Sequence, residues 1–553
     1  MTFHDSVLSA VRTKLGINDL ILEVPKEKSF GDFATNIAMQ LAKAGRKNPR
    51  EIAEGFLPKL REIGFIESAE IAGAGFVNIR IKNDFITECA ESFEVARFVH
   101  PNPLTIDMDY GAYNVAKELH IGHLRTSIVG DTLYRIARFL GHRPISYNHM
   151  GDWGKPMALV IARIKRKFPD DWDDPDFKID ETEFNGYYPD AAKLAREDPE
   201  FLAEVLRIKK EFQDGNPEYF ALYEKFLKIS MDMMDDVVRR LNIIPFDNNL
   251  GERNAAKHLA PVEKILRDKK LLTVSDGATI VELKRGDDTA PMPPLMFFDS
   301  RGADTYDSTD LAAMYYRKIT DRPDILIYLT DVRQKLHFEQ LFRVAEMSGI
   351  FPADVLEHQY FGSINGADGR PYRTRNGNVA SLFDIIDMVE NAARGHSPEL
   401  PEETVKMIAL AALKFNDLMH DMKGDYIFDP AAVVRFEGRT GPYVLYTAVR
   451  LNSILKKEQR ARSRKTEIRI TSPHERDLLL KILDFPRTIQ AAFDRRTPDM
   501  LANYTYELCQ CANGFYHNCP VIGNAGRAAV TRKAAETLGK CIELMGLRVP
   551  PEM

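Results

Sequence analysis

The chain has 553 residues, 44% of them hydrophobic, which is more than one ordinary core needs, so several domains are expected. A net charge of −6 argues against a uniformly basic nucleic-acid binder, although phosphate contacts depend on local rather than total charge. The opening residues contain no unbroken apolar stretch, no later segment approaches the roughly 20 apolar residues of a membrane span, and the five cysteines are an odd number. A cytoplasmic protein with no membrane partner and no disulfide framework is expected.

In chain order, helical periodicity is predicted over Ser6 to Leu15, Phe33 to Ala44 and Pro49 to Ile63, followed by a strand from Gly75 to Ile81. This is a small α+β unit. From Leu104 the pattern reads strand, glycine-containing loop, amphipathic helix and strand, with Leu124, Ile128, Leu133, Ile136, Ala137 and Leu140 on one helical face and Gly141 as its stop. That order opens a parallel, doubly wound sheet. An acidic stretch between Phe168 and Glu183 and an amphipathic run from Phe201 to Ile243 read as an insertion into the sheet domain. Sheet-like segments resume at Thr279 to Leu283, Pro294 to Phe298 and Asp324 to Leu329, with a helix between the last two, and from about Val405 onward nearly everything has helical period.

The chemistry concentrates where the first predicted loop meets its helix. His120-Ile-Gly-His123 places two imidazoles and the free N–H groups of a helix start in one space, which suits an anion, and Gly122 allows a flat ligand to approach the backbone. Such a tetrapeptide alone is weak, because histidines near a helix start are more often caps. The longer run Asp109-Tyr-Gly-Ala-Tyr-Asn-Val-Ala-Lys-Glu-Leu-His-Ile-Gly-His-Leu-Arg125, with Asn148-His-Met-Gly-Asp-Trp-Gly154 after it, resembles the class I aminoacyl-tRNA synthetase signature in its arginyl form. Gly369-Arg-Pro-Tyr-Arg-Thr-Arg-Asn-Gly377 resembles that family's second, basic motif.

The resemblance implies a multidomain α/β protein: a Rossmann-like catalytic domain with insertions, an N-terminal α+β domain and a C-terminal helix bundle that binds the anticodon. Boundaries at 1–85, 86–400 with a helical insertion near 165–250, 401–430 as connector and 431–553 are expected. It implies an arginine–tRNA ligase that uses ATP with Mg2+ and whose partners are L-arginine, ATP and tRNA(Arg). His120, His123, Lys117, Arg373 and Arg375 would be catalytic, Lys117 standing in for the lysine that the arginyl form of the second motif lacks. Gly122, His120, His123 and His337 would contact ATP. Asp304-Thr-Tyr-Asp-Ser-Thr-Asp-Leu-Ala-Ala313 resembles the segment lining the arginine pocket, which assigns Tyr306 and Asp310 to the guanidinium. Asp109 matches a second acidic pocket residue, and Asn114 and Gln334 further arginine contacts. Gly111, Tyr113 and Lys155-Pro156 depart from the family pattern.

At the ends, Phe30 to Ala38 with Lys47 to Ala53 resembles the family's N-terminal extension, and Phe436 to Tyr446 the start of its anticodon domain. A basic run from Lys456 to Arg469 reads equally as an RNA contact or a solvated loop. Cys509, Cys511, His517 and Cys519 lack a C-x-x-C pair and sit on a helical pattern, so packing cysteines and no zinc are expected. A monomer is implied by the resemblance alone. Another class I ligase or nucleotidylyltransferase would share the His-x-Gly-His chemistry without the arginine-pocket segment; a non-catalytic RNA-binding paralogue would not need Lys117 and both histidines.

Overall fold

The computed structural model describes residues 2–25, 27–95, 100–370, 372, 380–459 and 467–553. Helix α1 (Phe3–Leu15) opens with a capping box from Thr2 and Asp5 and ends on left-handed Gly16. Strand β1 (Phe33–Thr35), α2 (Ile37–Gly45), α3 (Pro49–Arg61), β2 (Ile66–Ala72) and β3 (Phe76–Ile81) complete an α+β unit whose antiparallel sheet runs β1-β3-β2. The helix predicted from Phe33 begins instead at Ile37. Phe33 and Thr35 are buried alternately and pair with Ile79 and Val77, and sheet pairing overrides the helical pattern until Asn36.

After α4 (Asn83–Ser92), the catalytic sheet begins with β4 (Thr105–Asp109), α5 (Ile121–Phe139) and β5 (Arg143–Met150). Helices α6 (Lys155–Lys167), α7 (Glu181–Glu197), α8 (Pro199–Gln213) and α9 (Pro217–Arg240) come next; Phe201, Phe212 and Phe226 form with Met157 and Val160 a core of their own. The chain returns as β6 (Asn248–Gly251), α10 (Glu252–Ala256) and α11 (Leu259–Asp268). Strands β7 (Leu272–Ser275), β8 (Ala278–Val281) and β9 (Leu295–Phe298) do not join the parallel sheet but make a separate antiparallel ribbon. Then come α12 (Tyr306–Thr320), β10 (Ile325–Asp331), α13 (Lys335–Ser348) and β11 (Leu356–Phe361).

The parallel sheet has the order β11-β10-β4-β5-β6. From β4 the chain winds outward to β5 and β6, then crosses back to β10 and β11. The direction therefore reverses between β4 and β10, and the crevice beyond their carboxyl ends is where such sheets bind ligands. Helices α14 (Leu382–His396) and α15 (Glu402–Leu418) lead into a bundle formed by Gly441–Gln459, Pro473–Leu483, Phe485–Asp494, Asp499–Asn518 and Ala525–Leu544. Cys509 lies wholly buried on one of these helices with Cys511 two residues on, and burial pushes the Cys509 thiol up, so it packs as a protonated apolar group. Among the described residues no helix is long and apolar enough to cross a membrane.

Candidate active site

The switch-point crevice is lined by the segments at the carboxyl ends of β4, β5 and β10. Beyond β4 the backbone carries two non-glycine left-handed residues, Ala112 (φ 52°) and Ala116 (φ 56°). They bracket Asn114, which bridges to Gly151 after β5; Val115 N–H donates to the Gly151 carbonyl at 3.2 Å and Gly151 N–H to that of Tyr113 at 3.3 Å. The first motif is thereby stitched to the second half of the sheet. A Cβ on Gly151 would lie 2.3 Å from Asn114 Oδ1, so a glycine there makes the stitch possible.

His120 is the N-cap of α5. Its Nδ1 accepts from Gly122 N–H at 3.1 Å, and His123 Nδ1 accepts from His120 N–H at 3.0 Å, a reciprocal box built from imidazoles in place of the usual Ser and Glu. Both rings therefore carry their proton on Nε2, and their centroids are 4.1 Å apart. Burial holds His123 down to about 3, and burial with the charge of Arg333 lowers His120. Two neutral N–H donors thus stand at a helix start whose own first N–H groups are already engaged: His120 by His123 Nδ1, Ile121 by the Ala380 carbonyl, Gly122 by His120 Nδ1 and His123 by the His120 carbonyl. A Cβ on Gly122 would meet the His120 ring at 2.8 Å, so this glycine makes room for the cap itself.

Lys117, just upstream, has its Nζ 4.6 Å from the centre of the Tyr188 ring, and burial lowers its pKa against the charge of Glu252. Arg373 and Arg375 lie outside the described residues. The residues flanking them are placed: Tyr372 N–H donates to the Ile364 carbonyl, Ala380 N–H to that of Tyr372, Ile121 N–H to that of Ala380, and Leu382 N–H to that of Leu119. Tyr372 and Ala380, on either side of the stretch that contains Arg373 and Arg375, are thus held to each other and, through Ile121, next to His120.

Asp310, on the first turns of α12, is gripped from both sides: Oδ1 is 2.9 Å from His149 Nε2 and Oδ2 is 2.7 Å from His337 Nε2. Burial opposes its charge, but the two imidazoles outweigh it and hold the carboxyl well below the usual range. The Tyr306 ring, 63% exposed, lies 5.1 Å from that of His337. Gln334 is exposed at the end of a 3-10 turn whose cap, Asp331, accepts from Arg333 N–H. The family pattern puts His337 with ATP; in the structure both its nitrogens face pocket carboxylates, Nδ1 lying 3.0 Å from Asp307 Oδ1. Asp109 is already engaged: its Oδ2 accepts from Arg317 at 2.5 Å, and that buried guanidinium packs 4.3 Å from the Tyr147 ring centre. Its negative charge is met by an internal arginine.

Several residues of the site are not singled out by the sequence. His149 lies inside the second quoted segment and Asp307 one turn before Asp310, so motif position and helical spacing are the signals that could have found both. Glu252, whose carboxyl burial raises to about 8, and Arg317 had no local signal. Arg125 is 1% exposed and donates to the carbonyls of Gly362, Gly424 and Asp421 at 2.9, 2.7 and 2.9 Å, bracing α5 against the root of the second motif. The departures also have physical partners: Tyr113 is buried, its hydroxyl 2.7 Å from Ser127 Oγ and its ring edge-on to His123.

A switch-point crevice with a histidine-capped helix on one side and a carboxylate cluster on the other is the arrangement expected of a class I aminoacyl-tRNA synthetase. Residues 95–430 match the model described as tRNA synthetases class I (R), catalytic domain, residues 3–81 the arginyl tRNA synthetase N terminal domain, and residues 444–553 the DALR anticodon binding domain. The chain is 35% identical to the arginine–tRNA ligase of Alkaliphilus oremlandii (94% of each chain) and 35% identical to that of Hyphomonas neptunium (95% of this chain, 94% of the relative). The arginyl-tRNA synthetases of Plasmodium falciparum (24% identity, 100% and 98% covered) and Thermus thermophilus (23%, 100% of both) share its fold with a TM-score of 0.83 each. The chain belongs to the arginyl-tRNA synthetase family. It is an arginine–tRNA ligase with ATP as its activating substrate.

Proposed function

We propose a division of labour among the residues of that reaction. The α-carboxylate of arginine attacks the α-phosphate of ATP, pyrophosphate leaves, and the arginyl-adenylate then passes its acyl group to a ribose hydroxyl at the 3′ end of tRNA(Arg), releasing AMP. Charge grows on phosphoryl oxygens, so positioned N–H donors and cations do the work and no general base is required. His120 and His123 donate through Nε2, the positive end of the α5 dipole favours the phosphate charge, Gly122 permits the approach, and Lys117, Arg373 and Arg375 supply positive charge. Asp310 takes the guanidinium under the Tyr306 ring, Asn114 and Gln334 hold the rest of arginine, and Asp109 shapes the pocket wall through Arg317. Mg2+ enters with ATP as the counter-ion of its phosphates; among the described residues no group of three or more metal-ligating side chains is gathered to hold an ion by itself.

Residues 1–85 and 431–553 are the tRNA-facing domains around a catalytic unit of 86–400, with 401–430 as connector; the enzyme acts as a cytoplasmic monomer. The observation that carries this reading is the pairing of two neutral imidazole donors at a helix start with a buried, doubly gripped carboxylate across the same crevice. Charging of tRNA(Arg) with labelled arginine, run beside each of the other amino acids, tests it. Arginine alone is expected to be attached; attachment of another amino acid in its place, or none, would refute the assignment of the pocket.

A further inference from the structure

Asp307 and Asp310 are three residues apart on α12 and present their carboxylates to the same side. His337, in the first turn of α13, fits between them with Nδ1 3.0 Å from Asp307 Oδ1 and Nε2 2.7 Å from Asp310 Oδ2. A carboxylate oxygen can only accept, so both ring nitrogens must carry a proton and the imidazole must be a cation. The pocket therefore holds a planar group that donates two N–H bonds to two carboxylates. A guanidinium makes the same pattern of bonds.

We propose that His337 is a specificity-determining residue of the arginine pocket: its imidazolium keeps the carboxylate pair satisfied until arginine arrives, and then gives up its proton to solvent as the guanidinium takes over Asp310. This rests on the assignment of Asp310 to the guanidinium. Two cations a few ångströms apart disfavour each other, and the guanidinium cannot shed its proton whereas imidazole can. No bond other than N–H is broken, and arginine remains charged throughout. A neutral analogue such as citrulline has no charge with which to drive the exchange, so it meets an occupied pocket.

These bonds set the sign of the pH dependence. Burial opposes the charge on His337, but its bonds to Asp307 and Asp310 outweigh it and raise its pKa above the ordinary histidine value, whereas the bound guanidinium lowers it again. Between those two positions arginine binding releases a proton, so arginine binds more tightly as pH rises. Other groups face the same space. His149 on β5 shares Asp310 and is likewise raised, Glu252 on α10 is pushed up to about 8, His358 on β11 is lowered by burial and then by His337, and the Asp109–Arg317 pair closes the wall. Glu252 and His149 are the alternative proton sources, because an arriving cation would favour the ionised form of the one and the neutral form of the other.

Titration calorimetry of L-arginine into the full enzyme with tRNA bound, near pH 7.5 in phosphate and in Tris, reads the proton count directly from the difference in heat. About one proton released per arginine is expected for the native chain, and arginine affinity should rise by up to about tenfold per pH unit across the window. His337→Gln should abolish most of the release and flatten the pH profile, while Glu252→Gln keeps both. No buffer dependence in the native enzyme, or release that survives in His337→Gln, would overturn the proposal. A native pH profile that is flat overturns the proposal even if a variant fails to fold. Asp310→Asn separates the underlying reading: if it binds arginine normally, the pocket assignment fails, whatever the proton count.

Discussion

In the proposed mechanism His123 meets the transition state as a neutral donor. Burial holds it to about 3, so between pH 6 and pH 8 its charge does not change, and its Nδ1 is committed to the His120 N–H. What it can offer a phosphoryl oxygen is one oriented N–H, whose removal typically costs about 3 kcal/mol, or roughly a hundredfold in rate. His123→Ala is therefore expected to slow adenylate formation about a hundredfold while the arginine KM stays near its native value. Single-turnover assays at pH 6 and pH 8 should show the same fractional loss. A loss confined to one pH would mean that the residue acts as a titrating acid instead.

At the level of elements, the loop from β4 to α5 is the most constrained segment of the site. It spends two left-handed alanines, each disfavoured by roughly 1–2 kcal/mol, to set Asn114 against Gly151. Gly111 stands where the family commonly has serine. A Cβ there would lie 2.2 Å from Asn148 Oδ1 and 2.6 Å from its Cα, and the same Oδ1 accepts from Tyr113 N–H at 3.3 Å. Glycine at 111 and tyrosine at 113 thus form one local solution, in which Asn148 comes close and Tyr113 buttresses the His123 ring. Gly111→Ser, although it restores the family's usual residue, is expected to lower the melting temperature by several degrees and raise the arginine KM several-fold, because β5 backbone must move. Thermal denaturation together with arginine titration checks this; a variant indistinguishable from native would show that Asn148 yields freely.

Across the whole molecule, ion pairs and hydrogen bonds tie the modules to one another. Arg476 in the bundle grips Asp32 of the N-terminal unit at 2.6 and 2.8 Å and also donates to the Ile81 carbonyl. Arg496 holds Glu357 on β11 through two bonds of 3.0 Å. Lys414, fully buried, reaches Asp131 on α5 at 3.3 Å and the Leu241 carbonyl at 3.0 Å, while Asn242 donates to the Gly546 carbonyl near the C-terminus at 2.8 Å. The C-terminal end of the chain is thereby tied through Asn242 and Lys414 to α5, the helix whose start bears His120 and His123. ATP–pyrophosphate exchange is expected to be nearly absent with arginine alone and to appear when tRNA(Arg) is added, a shift of population toward the active geometry driven by RNA binding. Strong exchange without tRNA would show that the free enzyme already holds that geometry.

The sequence by itself determined what depends on near neighbours. Apolar period and the Gly141 stop mark α5, alternating strand and helix marks the parallel sheet, and the motif runs locate His120, His123, Lys117, Tyr306 and Asp310, because capping, helical faces and loop glycines are set within a few residues. Only the tertiary structure decided what those residues meet. Phe33 to Thr35 became strand because β3 lay beside it, and Thr279 to Phe298 went into a separate ribbon because no edge of the parallel sheet received it. His337 met Asp307 and Asp310 from another helix, and Arg317 claimed Asp109 from a position 208 residues away. Burial is the physical reason: a charge removed from water must find a partner wherever packing supplies one, and packing brings together residues that no local pattern relates.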